Sequence, residues 1–230
     1  MITQPMALGS RLLLAVVVLL SGCQLESFAE RQTRQRADYL GETSSSQEPL
    51  VWTSSSSPDA DGAISSLLAA HLYGGQARIS GEPTAQTQAI LQRCEQNAPQ
   101  RTSRLNGSAI GVVGANQDNG VDAAIAANHV VAVVDHRAPG TGNLSLPQAR
   151  RIDVRPWGAT TTILEQQAQS LGVVLPKPLA CAALGAIVTQ TQGLQSASTT
   201  PQDRQSAARL ARRAGIQQAQ LLTSFDLQER

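Results

Sequence analysis

Several residue types are scarce in this chain of 230 residues. Aromatic side chains make up 3% of it, there are three cysteines, and Lys177 is the single lysine among 18 lysine and arginine residues. The formal net charge is only +1, which gives no indication of the basic surface that nucleic-acid binding needs. The cysteines form no C-x-x-C or Cys/His cluster, so no cysteine-ligated metal site is predicted.

The sequence contains no apolar run long enough to suggest a membrane-spanning helix. A short apolar run lies near the N-terminus. Residues 12–20, LLLAVVVLL, follow Arg11. They are too few to span a bilayer comfortably, but they match the apolar region of a signal peptide in length. The next residues end in LSGC at Cys23, and this pattern resembles the cleavage site of a bacterial lipoprotein signal. We therefore expect residues 1–23 to be a signal whose cysteine becomes a lipidated N-terminus.

A lipidated Cys23 would give the chain a membrane as its partner and a location at that membrane. The lipid on Cys23 would anchor the protein to a membrane, on the extracytoplasmic side. In a Gram-negative cell Gln24, which is not an aspartate, favours the outer membrane over the cell membrane. An ordinary signal peptide, or a simple anchor with a cytoplasm-facing domain, is the alternative. An exported chain could pair Cys94 with Cys181, although buried free thiols fit their helix-like surroundings equally well.

The rest of the sequence divides into a polar linker, one domain and a short tail. Residues 24–49 are polar and rich in Ser and Gln, with a helical tendency around residues 26–40, and we interpret them as a linker. The domain is predicted over residues 50–223, and residues 224–230 form a polar tail. Within the domain, strand-like and helix-like patterns alternate. Strands are predicted near residues 50–55, 77–80, 108–116, 129–137 and 150–158, and helices near residues 63–74, 84–97, 120–128, 160–172, 176–192 and 200–215.

Such alternation with continuous apolar strands predicts an α/β fold, a parallel β-sheet with helices on both faces. Ligands bind at the carboxyl ends of the strands in such sheets. Three segments are expected to meet there: the aspartates Asp59 and Asp61, residues 114–117, and residues 135–137. Without further information, the two aspartates are better explained as turn and helix-capping residues than as metal ligands.

Five segments of the domain resemble one family, in the same order along the chain. They read SPDADG, GEPTAQTQAIL, VVAVVDHR, WGATTTIL and GAIVTQTQGLQSASTTPQDRQSAARLARRAGI. Together they resemble the N-terminal domain of the manganese-dependent (family II) inorganic pyrophosphatases, of the DHH phosphoesterase superfamily. The likeness covers residues 50 to about 216. It implies a parallel α/β domain with two metal ions, and it leads us to expect that the family's second, pyrophosphate-gripping domain is absent here.

Part of the family's metal-binding pattern is retained. The motif G-H-x-N-P-D-x-D-S reads SSSSPDADG here, which keeps Asp59 and Asp61. The D-H-H motif keeps Asp135 and His136. The resemblance implies that one metal position retains Asp59 and that the other retains Asp61 and His136. Asp135 would help to position these ligands without binding the metal itself.

The other metal-binding positions are replaced. Ser55 stands where the family has a histidine, Gly114 where it has the bridging aspartate, Arg137 where it has the second histidine of D-H-H, and Gln190 where it has a further aspartate. In the family that this chain resembles, two divalent ions together make a hydroxide and neutralise the phosphoryl charge. A guanidinium cannot lose its proton and repels a cation. We therefore hypothesise that Arg137 pairs with Asp59 and Asp61 and replaces the missing metal charge. We expect no metal or at most a single residual Mn²⁺ or Mg²⁺ site.

Two functions remain open from the sequence. The first is a catalytically impaired relative that binds an unknown protein or phosphorylated ligand at the membrane surface. The second is a metal-dependent phosphoesterase or pyrophosphatase-like hydrolase that uses Asp61, His136 and Asp59. Whether the chain is an enzyme is not decided by these residues. A phosphate at the predicted helix start, residues 160–162, has no support beyond the helix terminus itself.

Overall fold

The computed structural model describes residues 26–40, 50–102, 105, 109–116, 125, 129–138, 149–217 and 225. These residues contain six α-helices and six β-strands. In chain order the elements are α1 (Phe28–Leu40), β1 (Leu50–Thr53), α2 (Ala60–Tyr73), β2 (Gln76–Ile79), α3 (Ala85–Arg93), β3 (Gln100–Arg101), β4 (Ala109–Val113), β5 (Val130–Asp135), β6 (Arg151–Val154), α4 (Thr160–Ser170), α5 (Lys177–Gln190) and α6 (Pro201–Ala214).

The strands form one parallel sheet in the order β3-β2-β1-β4-β5-β6. Every residue of β1 and β4 is buried, as expected for strands that are covered on both faces. The predicted α/β fold class and its parallel sheet are therefore confirmed, although the six described helices cover one face of the sheet rather than both. Strand β3 was not predicted, since its two residues, Gln100 and Arg101, are exposed and polar.

All six helices contribute to one large hydrophobic core on one face of the sheet. Trp52, Val113 and Val134 provide strand residues of this core, and α2, α4 and α5 provide most of its helical residues. A smaller cluster on the other face joins strand residues to Leu105 and Ile125. The short helix predicted over residues 120–128 lies outside the described residues except for Ile125.

A disulfide bond joins Cys94, at the end of α3, to Cys181 in α5. The sequence left this pairing open. The two cysteines are 87 residues apart, and closing a long loop of the unfolded chain in this way stabilises a protein by about 2–4 kcal/mol. The bond therefore ties the start of the domain to the helices that cover its sheet.

Helix α1 belongs to the stretch that we interpreted as a polar linker, yet it packs against the domain. Gln32 donates hydrogen bonds from Nε2 to the carbonyl oxygens of Ala70 (3.3 Å) and His71 (2.6 Å). The Tyr39 ring stacks on Tyr73 with 4.1 Å between ring centroids, and Leu40 is buried in the core. These contacts hold α1 on the last turn of α2. The remaining linker residues, 41–49, lie outside the described set.

Within the part of the chain that the structure describes, no helix has the length and apolar character required to cross a membrane. The predicted signal, residues 1–23 with Cys23, lies outside that part, and so does most of the tail, residues 224–230.

Candidate functional site

The predicted segments meet at the carboxyl ends of β1, β4 and β5. A cavity of about 240 Å³ opens there, and its lining residues come from the three turns that follow these strands: Ser55, Ser57, Asp59, Gly114, Ala115, Asn116 and Arg137. Asp61, Asp135, His136 and Gln190 lie beside this cleft, as the contacts below show. The structure thus brings together the cleft residues that the sequence singled out, apart from Gln117, which lies outside the described residues.

Asp61 is buried, with 1% of its surface exposed, and it binds the start of α4. Its Oδ2 accepts a hydrogen bond from the Thr160 amide (2.9 Å). Its Oδ1 accepts bonds from the Thr161 amide (2.9 Å) and hydroxyl (2.7 Å). Ala159, which precedes α4, has no side chain that could cap the helix. Asp61 therefore provides the capping group that α4 lacks, and the positive end of the helix dipole favours its negative charge.

His136 extends this buried network through Asp61 Oδ2 and Thr160. Its Nδ1 lies 2.9 Å from the Thr160 hydroxyl and 3.3 Å from Asp61 Oδ2. Its Nε2 lies 3.4 Å from Gln190 Nε2 at the end of α5. Both ring nitrogens therefore contact protein groups.

The charges of this pair shift both pKa values. Burial alone would raise the pKa of Asp61, but the hydrogen bond and charge of His136 and the bonds from Thr161 outweigh it and lower that pKa. Burial alone would lower the pKa of His136, but its hydrogen bond to Asp61 and the Asp61 charge outweigh burial and raise it. Each group thus favours the charged form of the other.

Asp59 lies at the open side of the cleft and caps α2. Its Oδ1 accepts a hydrogen bond from the Gly62 amide (2.8 Å), and its side chain is 46% exposed. Partial burial, followed by the charge of Asp61, raises the pKa of Asp59. Asp59 is thus a helix cap, as one of the two interpretations of the sequence proposed.

Arg137 crosses the open side of the cleft. Its Nη1 donates to the carbonyl oxygen of Gly114 (2.5 Å) and lies 3.5 Å from Asp135 Oδ1, while Nη2 lies 3.7 Å from Asp59 Oδ2. Asn116 donates to the carbonyl oxygen of Arg137 (2.7 Å) and so fixes the backbone. The guanidinium therefore joins the turns after β1, β4 and β5. The contact with Asp59 agrees with the pairing hypothesised from the sequence, whereas Asp61 pairs with His136 instead of Arg137.

Asp135 supports this arrangement from beneath the cleft. It is fully buried, and its Oδ1 accepts a hydrogen bond from the Arg137 amide (3.1 Å). Its Oδ2 has no hydrogen-bond partner among the described residues. Burial is the main reason that the pKa of Asp135 is raised, against the opposing effects of Arg137 and His136.

Two glycines bring the turns of the cleft close together. A Cβ at Gly62 would overlap the Ser54 hydroxyl. Gly114 has φ +65°, and a Cβ there would lie 3.3 Å from Gly62 Cα, closer than side chains normally approach. A carboxylate at position 114, where the resemblance places a bridging aspartate, would therefore strain the backbone and crowd the start of α2.

These residues do not fit a pair of metal ions. Among the residues described, no group of three or more His, Cys, Asp or Glu side chains is arranged to hold a metal. The oxygens of Asp61 already accept bonds from Thr160 and Thr161. The cleft also contains a guanidinium, which cannot act as a ligand.

Sequence reasoning missed some members of the cleft. Asn116 was included only within a candidate turn, and the hydrogen bonds from Thr160 and Thr161 to Asp61 join residues about a hundred positions apart. The helix start at Thr160 was predicted, but its N-terminal amides bind Asp61 rather than an external anion. No local signal in the sequence indicates this partner.

The fold and the cleft define a parallel α/β domain with a candidate site at the carboxyl ends of its strands. No protein-family model matches the chain. It is 28% identical over 180 residues to the probable manganese-dependent inorganic pyrophosphatase of Archaeoglobus fulgidus, which covers 69% of this chain and 54% of that protein. The probable manganese-dependent inorganic pyrophosphatase of Deinococcus radiodurans is 30% identical over 165 residues, which covers 69% of this chain and 52% of that protein.

Solved structures agree on the fold. A putative family II inorganic pyrophosphatase from Methanococcus jannaschii has a TM-score of 0.69 at 21% identity over 76% of this chain and 60% of that one. An exopolyphosphatase-related protein from Bacteroides fragilis has a TM-score of 0.61 at 15% identity over 80% of this chain and 57% of that one. The predicted resemblance to manganese-dependent inorganic pyrophosphatases is confirmed, although the chain spans only about half the length of these two relatives.

Proposed function

We propose that this chain is a membrane-anchored, pyrophosphatase-like DHH domain that does not hydrolyse phosphoanhydrides and that binds a protein or a phosphorylated ligand instead. One observation carries the proposal: the Arg137 guanidinium lies between Asp59, Asp135 and the Gly114 carbonyl oxygen. In this position it places a permanent positive charge among residues that the resemblance assigns to metal binding.

The charge balance of the cleft supports this proposal. Catalytic pairs of divalent ions lie about 3.5–4 Å apart and need anionic ligands to offset their repulsion. Here the side chains at the replaced positions, Ser55, Gly114 and Gln190, supply no negative charge. Two cations already offset most of the charge of the three remaining carboxylates, because Asp61 pairs with His136, and Arg137 lies against both Asp59 and Asp135.

The sequence and the disulfide support an extracytoplasmic location. The apolar run 12–20 and Cys23 resemble a lipoprotein signal, and the Cys94–Cys181 bond is typical of oxidising compartments. Incorporation of radiolabelled palmitate into the chain, and its loss in Cys23→Ser, is the expected result. Label that persists in Cys23→Ser would contradict the lipid anchor.

Metal binding provides the sharpest test, because every metal-ligand position that the resemblance identifies lies in this chain. The full chain, purified in detergent, is dialysed against Mn²⁺ and assayed for bound metal and for phosphate released from pyrophosphate. We expect neither. The matched control restores the family's ligands with Ser55→His, Gly114→Asp, Arg137→His and Gln190→Asp, and metal bound by this variant would show that the four replacements account for the loss.

The second candidate is a phosphoesterase with a single metal ion. It is favoured by one contact, the 3.3 Å separation of His136 Nδ1 and Asp61 Oδ2, since these are two of the ligands that the resemblance retains. One Mn²⁺ per chain together with steady phosphate release would establish this function and overturn our proposal. Bound metal without turnover would contradict the expected absence of a metal site, and would leave catalysis dependent on some further component.

A further inference from the structure

We propose that the N-terminal end of α1 lies against the lipid bilayer, with Phe28 in the headgroup region, and that the cleft points away from the membrane. The proposal rests on the lipid anchor at Cys23 proposed above. It adds an orientation, and it identifies which surface of the domain contacts lipid and which is available to a partner.

The chain between the anchor and the domain is short. Only residues 24–27 separate Cys23 from Phe28, the first residue of α1. Even when fully extended, five residue steps span at most about 18 Å. The first turn of α1 is therefore held within that distance of the lipidated cysteine, and long excursions of the domain from the bilayer are excluded.

Helix α1 cannot act as a further flexible spacer while it is docked. Gln32 bonds to the carbonyl oxygens of Ala70 and His71, and the Phe28 ring lies 5.1 Å from the His71 ring. At the other end of the helix, Tyr39 stacks on Tyr73. The contacts span most of the helix, so the anchor determines the orientation of the whole domain.

The cleft is at the opposite end of α2 from these contacts. Asp59 caps the start of α2, whereas His71 lies in its last turn. The rise of an α-helix places these two ends about 18 Å apart. An anchor attached next to Phe28 therefore holds the His71 end of α2 near the bilayer and the Asp59 end away from it.

The side chain that meets the lipid is apolar. Phe28 is 52% exposed, one of three large hydrophobic residues that the described part of the chain exposes. Between residues 26 and 40, three acidic residues balance three basic ones. Aromatic rings favour the membrane interface, and an apolar residue beside a lipid chain adds a second attachment. The contact should therefore depend little on salt.

Two tryptophan variants of the full lipidated chain test the orientation. Phe28→Trp reports on the proposed contact, and the matched control Ser57→Trp reports on the rim of the cleft. Both sites are exposed, and both variants are made with Trp157→Phe, which leaves only the buried Trp52 as background. The proteins are reconstituted into phosphatidylethanolamine–phosphatidylglycerol vesicles with and without lipids brominated near the headgroup end of the acyl chains.

We expect brominated lipid to quench the added fluorescence of Phe28→Trp at least about twofold more than that of Ser57→Trp, because the ring enters the interface. Equal or reversed quenching in protein that sediments with the vesicles would overturn the orientation and leave the anchor intact. Protein that fails to sediment with vesicles would instead overturn the anchor, and the orientation with it.

Discussion

The two halves of the cleft have the same kinds of charged residue but different environments. The inner half, Asp61, His136, Thr160 and Thr161, is largely buried and closed by hydrogen bonds. The outer half, Asp59, Arg137 and Asn116, lines the open cavity, and the side chains of Asp59 and Arg137 are 46% and 44% exposed. One half therefore supports the fold, and the other can be reached by a ligand.

This difference shows why aspartates at metal-binding positions are not evidence for a metal by themselves. Asp61 caps α4, whose preceding residue Ala159 cannot do so. The fold thus needs this carboxylate whether or not a metal is bound. Asp59 has a similar but weaker role on α2 through its bond to Gly62.

The largest effect is expected from Asp61→Ala. This change leaves the amides of Thr160 and Thr161 without their acceptor inside the protein and leaves His136 without its counter-ion. Charge-assisted hydrogen bonds of this kind are worth about 1.5–3 kcal/mol each in buried sites, so the free energy of unfolding should fall by about 3 kcal/mol. Urea denaturation measures it. A loss below about 1 kcal/mol would contradict the capping role.

Asp59→Ala should lower the free energy of unfolding by less than Asp61→Ala does. It removes an N-cap contact at a partly exposed position, and such changes typically cost about 1 kcal/mol. The same denaturation experiment gives the comparison directly. If Asp59→Ala destabilised the chain as much as Asp61→Ala, the distinction between the inner and outer halves would be wrong.

The pH dependence of stability should reveal the Asp61–His136 pair. The pKa of His136 is raised above 6.5 by Asp61 despite burial, so its contribution is present below pH 6.5 and is lost as the pH rises through the raised value. The pKa of Asp61 is lowered below 3.8, so its contribution is lost only in stronger acid. The free energy of unfolding should decline from pH 6.5 upward, and His136→Gln should reduce that decline. An unchanged slope in this variant would exclude the pair as its source.

The smallest effect on stability is expected from Arg137→Gln. Ion pairs of a partly exposed guanidinium contribute little, and the free energy of unfolding should change by less than about 1 kcal/mol. Removing the charge should nevertheless give the cleft a weak affinity for Mn²⁺, which calorimetric titration would detect. An affinity equal to that of the unmodified chain would show that Arg137 does not exclude the ion.

Much of the fold follows from local patterns, but the site depends on distant contacts. Buried strands such as β5 are continuous apolar runs, and α6 carries its own capping box at Thr200 and Asp203, so both could be predicted. The two-residue strand β3 has no such run. The docking of α1 could not be predicted either, because the polar sequence of this helix does not indicate that Tyr39 stacks on Tyr73.

The same limit applies within the cleft. The sequence indicated which residues meet at the strand ends, because parallel strands share that edge. It could not indicate that Asp61 would bind a helix start about a hundred residues later, or that Arg137 would lie against Asp135 rather than Asp61. These pairings depend on side-chain geometry after folding.

The most direct test of the central claim, that His136 and Arg137 take the place of metal ions beside the carboxylates of the cleft, is anomalous diffraction from crystals soaked in Mn²⁺. We predict no anomalous peak between the turns after β1 and β5, with Arg137 still in contact with the carbonyl oxygen of Gly114. Two peaks within about 4 Å of each other, with Arg137 displaced from the cleft, would contradict the account.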